Sequence, residues 1–311
     1  MVEPTGIAFI FPGQGAQAVG MGRDLFDNFA AARAVFQQAD EVTGTGLTKL
    51  CFEGPENELL QTINTQPAIL TVSLACMKAI EEMSDGKLPI PSFTAGHSLG
   101  EYSALAVSGA IDYRTAIYLT RQRGRLMHEA GRQNKGAMAA VLGLDENVLQ
   151  EVCQETGTLI ANVNCPGQYV ISGAESNIAR ASEMAKAKGA ARVRALQVSG
   201  AFHSPLMKPA ADGLSEIISH TVFKSPNIPV IANVTAQPIT NTEQIKQELV
   251  EQLCTGVQWQ RSVEYMINNG VKTFVEIGPG KVLTGLNKRI DANINNVNIN
   301  NLDSIKEFLK G

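Results

Sequence analysis

The chain has 311 residues, 44% of them hydrophobic, and a formal charge of −4, enough for a large core with a second unit inserted into it. The slight acidity, without any basic run or aromatic–basic interleaving, leaves no footprint for nucleic acid. No stretch of about eighteen consecutive apolar residues occurs and the five cysteines are scattered without a Cys-x-x-Cys pair, so no membrane span, disulfide framework or zinc site is expected, and the cytoplasm is the expected location.

In chain order, the first element is Ile7 to Phe11, an apolar run with β-branched and aromatic members halted by Pro12-Gly13-Gln14-Gly15. It reads as a buried strand opening into a glycine-rich loop whose backbone N–H groups can face an anion. With neither a Gly-Lys-Ser/Thr ending nor a complete Gly-x-Gly-x-x-Gly, the loop fits an oxyanion hole better than a nucleotide cradle. Helices are expected over 23–42 and over 67–83, the latter started by Thr65 ahead of Pro67. Phe93 to His97 is the next strand, followed by a helix over 100–108. Between them, Gly96-His97-Ser98-Leu99-Gly100 fits Gly-x-Ser-x-Gly at a strand–turn–helix junction, where a serine hydroxyl projects as a nucleophile. The same letters suit a buried helix-capping serine, so the rest of the chain has to separate the two.

A helix over 113–130 carries Arg121, Arg123 and Arg125. At about 100° per residue the three cannot share one face, so at least one points away from a solvated basic surface. Residues 136–196 change rhythm: strand 137–142, helix 146–155, strands 159–163 and 169–172, helix 176–188, strand 192–196. That is the β-α-β-β-α-β order of a ferredoxin-like unit. A further core strand is expected over 195–199, with His203 just past its end, where it could take a proton from Ser98; a histidine starting a helix over 204–219 is the structural alternative. Strands over 228–232, 273–277 and 297–300 and helices over 243–253 and 262–269 complete the alternation of a parallel sheet covered by helices. The expected fold class is α/β: an α/β-hydrolase-like core from 1–132 and 198–311, a ferredoxin-like subdomain over 133–197, and an active site in the cleft between them. His97, His128, His220, Met21, Met138 and Met207 read as packing or surface residues; Asn162 and Asn164 could help to line the cleft, but the turn beside Pro166-Gly167 explains Asn164 at least as well, and both stay outside the catalytic set.

Phe11-Pro12-Gly13-Gln14-Gly15, Gly96-His97-Ser98-Leu99-Gly100-Glu101-Tyr102, Gln122-Arg123-Gly124, Ala201-Phe202-His203-Ser204-Pro205-Leu206-Met207 and Glu276-Ile277-Gly278-Pro279-Gly280-Lys281-Val282-Leu283 together resemble malonyl-CoA:acyl carrier protein transacylase. The blocks occur in that family's order and cover nearly the whole chain; with nothing sizeable flanking them, a free-standing enzyme is expected rather than a megasynthase domain. The resemblance implies malonyl transfer from malonyl-CoA to the phosphopantetheine thiol of acyl carrier protein through a malonyl-serine, supplying fatty-acid synthesis, with no cofactor and no metal. Ser98 is the implied nucleophile and His203 its base. No aspartate is placed as a third member, and the family's neutral carbonyl that orients the histidine falls at Gln252, otherwise an ordinary helix-end residue. A thiolate leaves more readily than an amine, so the histidine needs less acid strength than in a peptidase.

The backbone N–H groups of Leu99 and Gln14 are expected to form the oxyanion hole. The resemblance selects Arg123 as the inward arginine, pairing bidentately with the malonyl carboxylate, and Phe202 as the ring that disfavours a branching methyl group. The expected partners are malonyl-CoA and acyl carrier protein, the latter docking on a local basic patch of Lys186, Lys188, Arg192 and Arg194, with the enzyme a monomer. A thioesterase on the same scaffold and a non-catalytic carrier-binding module are the rival classes.

Overall fold

The computed structural model describes residues 6–310. Its strands are β1 (Ile7–Phe11), β2 (Phe93–Gly96), β3 (Gly136–Leu142), β4 (Leu159–Cys165), β5 (Gln168–Ala174), β6 (Arg192–Ala195), β7 (Val230–Ile231), β8 (Pro238–Ile239), β9 (Thr273–Ile277) and β10 (Asn295–Ile299). Six form one sheet in the order β10-β9-β1-β2-β7-β8, parallel except for the β7–β8 pair. The central strands are apolar on both sides because both faces are covered. In β1, Phe9 and Phe11 join the larger core while Ala8 and Ile10 join a second cluster built around Trp259 and Phe274.

The other four strands form an antiparallel sheet, β4-β5-β3-β6, with helices Glu146–Thr156 and Glu175–Ala187 between its strands in the expected ferredoxin-like order. Ala139, Val141, Val163 and Ile171 pack against those helices. Met138, Ala140, Asn162 and Val170 face the other way, towards the large sheet. The small unit is also tied back at its β4 edge: Val163 N–H donates to Val257 O at 2.9 Å and Val257 N–H to Ala161 O at 2.8 Å.

Several expectations need correction. No strand forms over 195–199: Leu196 N–H closes the β3 ladder on Met138 O, and Val198 N–H then folds back onto Leu196 O in a tight turn. The helix expected over 23–42 breaks at the extended, buried Phe29 into Arg23–Asn28 and Ala30–Thr43, and Arg33 donates to the freed carbonyls of Phe26 and Asp27. The next long helix runs Thr62–Met83, three residues ahead of the expected Thr65 start, with Pro67 inside it. Pro67 has no N–H for the Ile63 carbonyl, and Arg121 Nη1 donates there instead at 3.0 Å. Short helices at Leu47–Glu53, Glu56–Leu59, Val282–Ile290 and Leu302–Phe308 were not expected. The Val282–Ile290 helix explains the Glu276 block: the buried carboxylate accepts Leu283 N–H and Thr284 N–H at 3.0 and 2.8 Å, capping that helix from the end of β9. No helix of the described residues is long and apolar enough to cross a membrane.

Helix Tyr113–Gln133 crosses the start of Thr62–Met83 at Gly124, where a Cβ would sit 2.7 Å from Thr62 O and 2.9 Å from Ile63 Cα. Both obstacles are backbone and cannot swing aside. Gly124→Ala is therefore expected to lower unfolding free energy by about 1–3 kcal/mol, read by urea titration against wild type. An unchanged midpoint would show that the crossing relaxes freely.

Candidate active site

Ser98 stands between β2 and helix Gly100–Val107 with φ 52°, a left-handed conformation that costs a serine about 1–3 kcal/mol. A Cβ at Gly96 would fall 1.9 Å from Gly100 C, and one at Gly100 would fall 2.2 Å from Phe11 O, so the turn closes only with glycine at both places. Side chains distant in sequence hold the strained residue. Its N–H donates to Asn233 Oδ1 at 2.7 Å, and Asn233 Nδ2 donates to Gly96 O at 2.7 Å. Gln252 Nε2 donates to Ser98 O at 3.1 Å.

His203 Nε2 lies 2.9 Å from Ser98 Oγ, and its Nδ1 lies 2.7 Å from the main-chain oxygen of Gln252. A carbonyl only accepts, so Nδ1 carries the hydrogen and Nε2 is free to accept from the serine hydroxyl. His203 reaches Ser98 from a buried loop residue with φ 57°, not from a strand end, one residue ahead of the Ser204 cap of the turn Pro205–Met207. Burial, with the Arg123 charge beside it, pushes its pKa down to about 3.

Arg123 projects from helix Tyr113–Gln133 and is 1% exposed. Nη1 donates to Gln66 Oε1 at 2.6 Å; Nη2 donates to Gln252 Oε1 at 2.7 Å and Ser98 Oγ at 3.0 Å. Its buried Nε has no hydrogen-bond partner, and no carboxylate among the described residues forms an ion pair with it. The neighbouring arginines behave otherwise, Arg121 capping Ile63 and Arg125 pairing with Glu129 at the surface.

A cavity of about 270 Å³ opens over this group between the large sheet and the inner face of the small one. Gln14, Leu99, Arg123, Phe202 and His203 line it, so the expected site residues converge on one space, with Gln252 directly beneath. Neither Gln14 N–H nor Leu99 N–H donates to another described residue, and the Gln14 side chain is held by Thr62 Oγ1 at 3.0 Å. Among the described residues, no cluster of three or more His, Cys, Asp and Glu side chains is placed to hold a metal.

Further contributors lie outside the expected catalytic set. Asn162 and Asn164 line the cavity, and His97 Nε2 meets Asn164 Oδ1 at 2.9 Å across the two sheets. Gln66, Glu101 and Asn233 anchor the group; the one signal for Asn233 is its place just past an expected parallel strand, where such sheets position ligand-facing residues. The basic patch divides. Arg192 and Arg194 oppose Leu142 and Ala140 in the ladder, on the face that carries the cavity, whereas Lys186 and Lys188 lie at the end of the helix on the far face, paired with Glu183 and Glu151.

The acyl transferase domain family matches residues 8–299. The malonyl CoA-acyl carrier protein transacylase of Bacillus subtilis is 46% identical over 96% of this chain and 95% of that protein. An acyl carrier protein S-malonyltransferase from Vibrio cholerae superposes with a TM-score of 0.94 at 41% identity, covering 98% of this chain and all of that one. A malonyl-transacylase solved in complex with the acyl-carrier protein of a type II PKS gives 0.93 at 41% identity, covering 98% and 99%. With a family match along nearly its full length and relatives this similar, the chain belongs to the malonyl-CoA:acyl carrier protein transacylases of the acyl transferase domain family.

Proposed function

We propose that the protein moves a malonyl group from malonyl-CoA to the phosphopantetheine thiol of acyl carrier protein in two half-reactions at Ser98. His203 Nε2 takes the serine proton as Oγ attacks the thioester carbonyl, whose oxygen becomes an oxyanion facing the Leu99 and Gln14 N–H groups. The tetrahedral adduct collapses, the carbon–sulfur bond breaks, and the imidazolium returns its proton to the departing CoA thiolate. In the second half-reaction the carrier thiol gives its proton to His203 and attacks the acyl-serine, and Ser98 leaves with that proton. The Gln252 carbonyl holds Nδ1–H throughout and steadies the imidazolium as a dipole rather than a charge.

The observation that carries the substrate reading is Arg123. Of its five N–H bonds three are engaged, by Gln66, Gln252 and Ser98, leaving the buried Nε–H and one Nη1–H with no carboxylate against them. A buried cation so placed favours an acyl group that brings its own carboxylate. Phe202, 5% exposed beside His203, bounds the space next to the α-carbon. The free cysteines, four of them buried, suit a reducing compartment such as the cytoplasm.

Intact-mass analysis after mixing with malonyl-CoA is expected to show one malonyl adduct, absent in Ser98→Ala. In competition among malonyl-, methylmalonyl- and acetyl-CoA, Arg123→Ala is expected to lower the malonyl-to-acetyl ratio at least about tenfold, and Phe202→Ser to admit methylmalonyl modestly better. Equal loss of all three acyl groups would make the arginine structural. Free malonate in place of malonyl-carrier would mark a thioesterase.

A neutral base is required at working pH. The ring carbon resonances of His203 are expected to stay those of a neutral imidazole to below about pH 5. Because the folded pKa is depressed from 6.5 to about 3, His203 contributes stability that is present above 6.5 and lost as pH falls towards 3, where the folded state too takes up the proton. A ring midpoint near 6.5 would overturn this account.

Charge reversal separates the two halves of the basic patch. Arg192→Glu with Arg194→Glu is expected to slow transfer to the carrier while sparing intact-mass acylation by malonyl-CoA, and Lys186→Glu with Lys188→Glu to leave both within about twofold, as exposed ion pairs contribute little. A larger effect from the lysine pair would move the docking face to the other side of the small sheet.

A further inference from the structure

Glu101 is fully buried in the first turn of the helix that follows Ser98, a position where an acidic side chain ordinarily faces water. Its two oxygens have separate donors. Gln252 Nε2 donates to Oε2, and Asn233 N–H donates to Oε1 at 3.1 Å. Those are the residues that hold the reacting pair: the Gln252 carbonyl takes His203 Nδ1–H, and Asn233 Oδ1 takes Ser98 N–H. One carboxyl group therefore stands where two arms meet, one ending on the histidine ring and the other on the backbone of the serine.

The chemistry of both donors selects the form of that group. An amide NH₂ and a main-chain N–H offer only hydrogens, and a carboxylate offers only acceptors, whereas a glutamine or a carboxylic acid turns a hydrogen towards one of them. The charge also has a counterpart. Arg123 Nη2 donates to Gln252 Oε1 while Gln252 Nε2 donates to Glu101, so a single amide, polarised from both ends, joins a buried cation to a buried carboxyl group.

We propose that the Glu101 carboxylate is a positioning residue for acyl transfer, fixing Gln252 and Asn233 and through them the His203 ring and the Ser98 turn. The proposal rests on the acylation of Ser98 described above. The groups that face Glu101 are Glu248 from helix Thr242–Glu251, Arg123 from helix Tyr113–Gln133, and its neighbour Tyr102. Burial first, and the Glu248 charge second, raise the Glu101 carboxyl well above the ordinary carboxylate range, while burial raises Glu248 to about 7. Protonation of Glu101 as pH falls removes an acceptor and loosens both arms, giving an acid limb to the acylation rate. His203, titrating at about 3, does not produce a limb in that range.

The test is the single-turnover rate of malonyl-enzyme formation from malonyl-CoA, followed from pH 5 to 9 in wild type, Glu101→Gln and Glu248→Gln. Glu101→Gln is expected to acylate at least about tenfold more slowly at high pH, with half-saturation by malonyl-CoA within about twofold, and to lose the acid limb. Glu248→Gln, whose amide oxygen can still accept Val234 N–H while the charge beside the Asn233 main chain and Glu101 is removed, is expected to keep the high-pH rate and move the limb to lower pH, since the charge that raised it is gone. That shift is read even if Glu101→Gln fails to fold, and a purely structural glutamate would not produce it. A wild-type enzyme that acylates normally, with a limb unmoved in Glu248→Gln or a Glu101→Gln rate within twofold of wild type, overturns the positioning role alone. A wild-type enzyme that forms no malonyl adduct overturns the acylation reading and this proposal with it.

Discussion

A guanidinium sealed from water with no carboxylate against it is the constraint around which the site is arranged. Arg123 stays protonated despite its burial, so each N–H that meets the protein must find an oxygen. The structure supplies neutral ones from Gln66, Gln252 and Ser98, drawn from three different elements. The charge left incompletely answered acts on its surroundings. It helps hold His203 in the neutral form, and it lies 3.0 Å from the hydroxyl oxygen of Ser98, the proposed nucleophile, where it favours loss of the hydroxyl proton. A carboxylate placed directly on Arg123 would cancel both effects and occupy the donors proposed for substrate. The Gln252 amide keeps the nearest acid, Glu101, one side chain away.

Much of the frame was legible because it rests on local pattern. Apolar runs such as Ile7–Phe11 and Thr273–Ile277 betray strands covered on both faces, and the rhythm of residues 136–196 betrays a separate antiparallel unit. The same logic misled at 195–199: Leu196 and Val198 alternate like a strand but line the cavity from a turn. Helix boundaries slipped wherever a side chain, not the backbone, completes the hydrogen bonding, as Arg33 does beyond Asn28 and Arg121 does opposite Pro67.

Within the site, Ser98 is legible from its flanking glycines, and Arg123 from the family resemblance, since spacing says only that Arg121, Arg123 and Arg125 cannot share one helix face. Asn233 and Glu101 are not. Asn233 holds a residue 135 positions away and Glu101 one 151 positions away. Such pairings leave no periodicity for local reading to find. Gln252 was named for a carbonyl, and it is the main-chain one that meets His203; its side chain does a second task, linking Arg123, Ser98 and Glu101, that no spacing foretells.

The two main-chain hydrogen bonds at Val257 tie the small unit to the large one along the margin opposite to where the chain passes between them. Along β4 it is stitched to the segment that leads into helix Trp259–Asn268, and the Arg261–Glu146 ion pair at 2.6 Å lies on that side too. Along β6 it is bare, with Arg192, Arg194 and Ala195 exposed. The cavity wall that carries Asn162 is therefore joined to the large unit by main-chain hydrogen bonds, and the wall that carries Leu196 and Val198 by the chain itself.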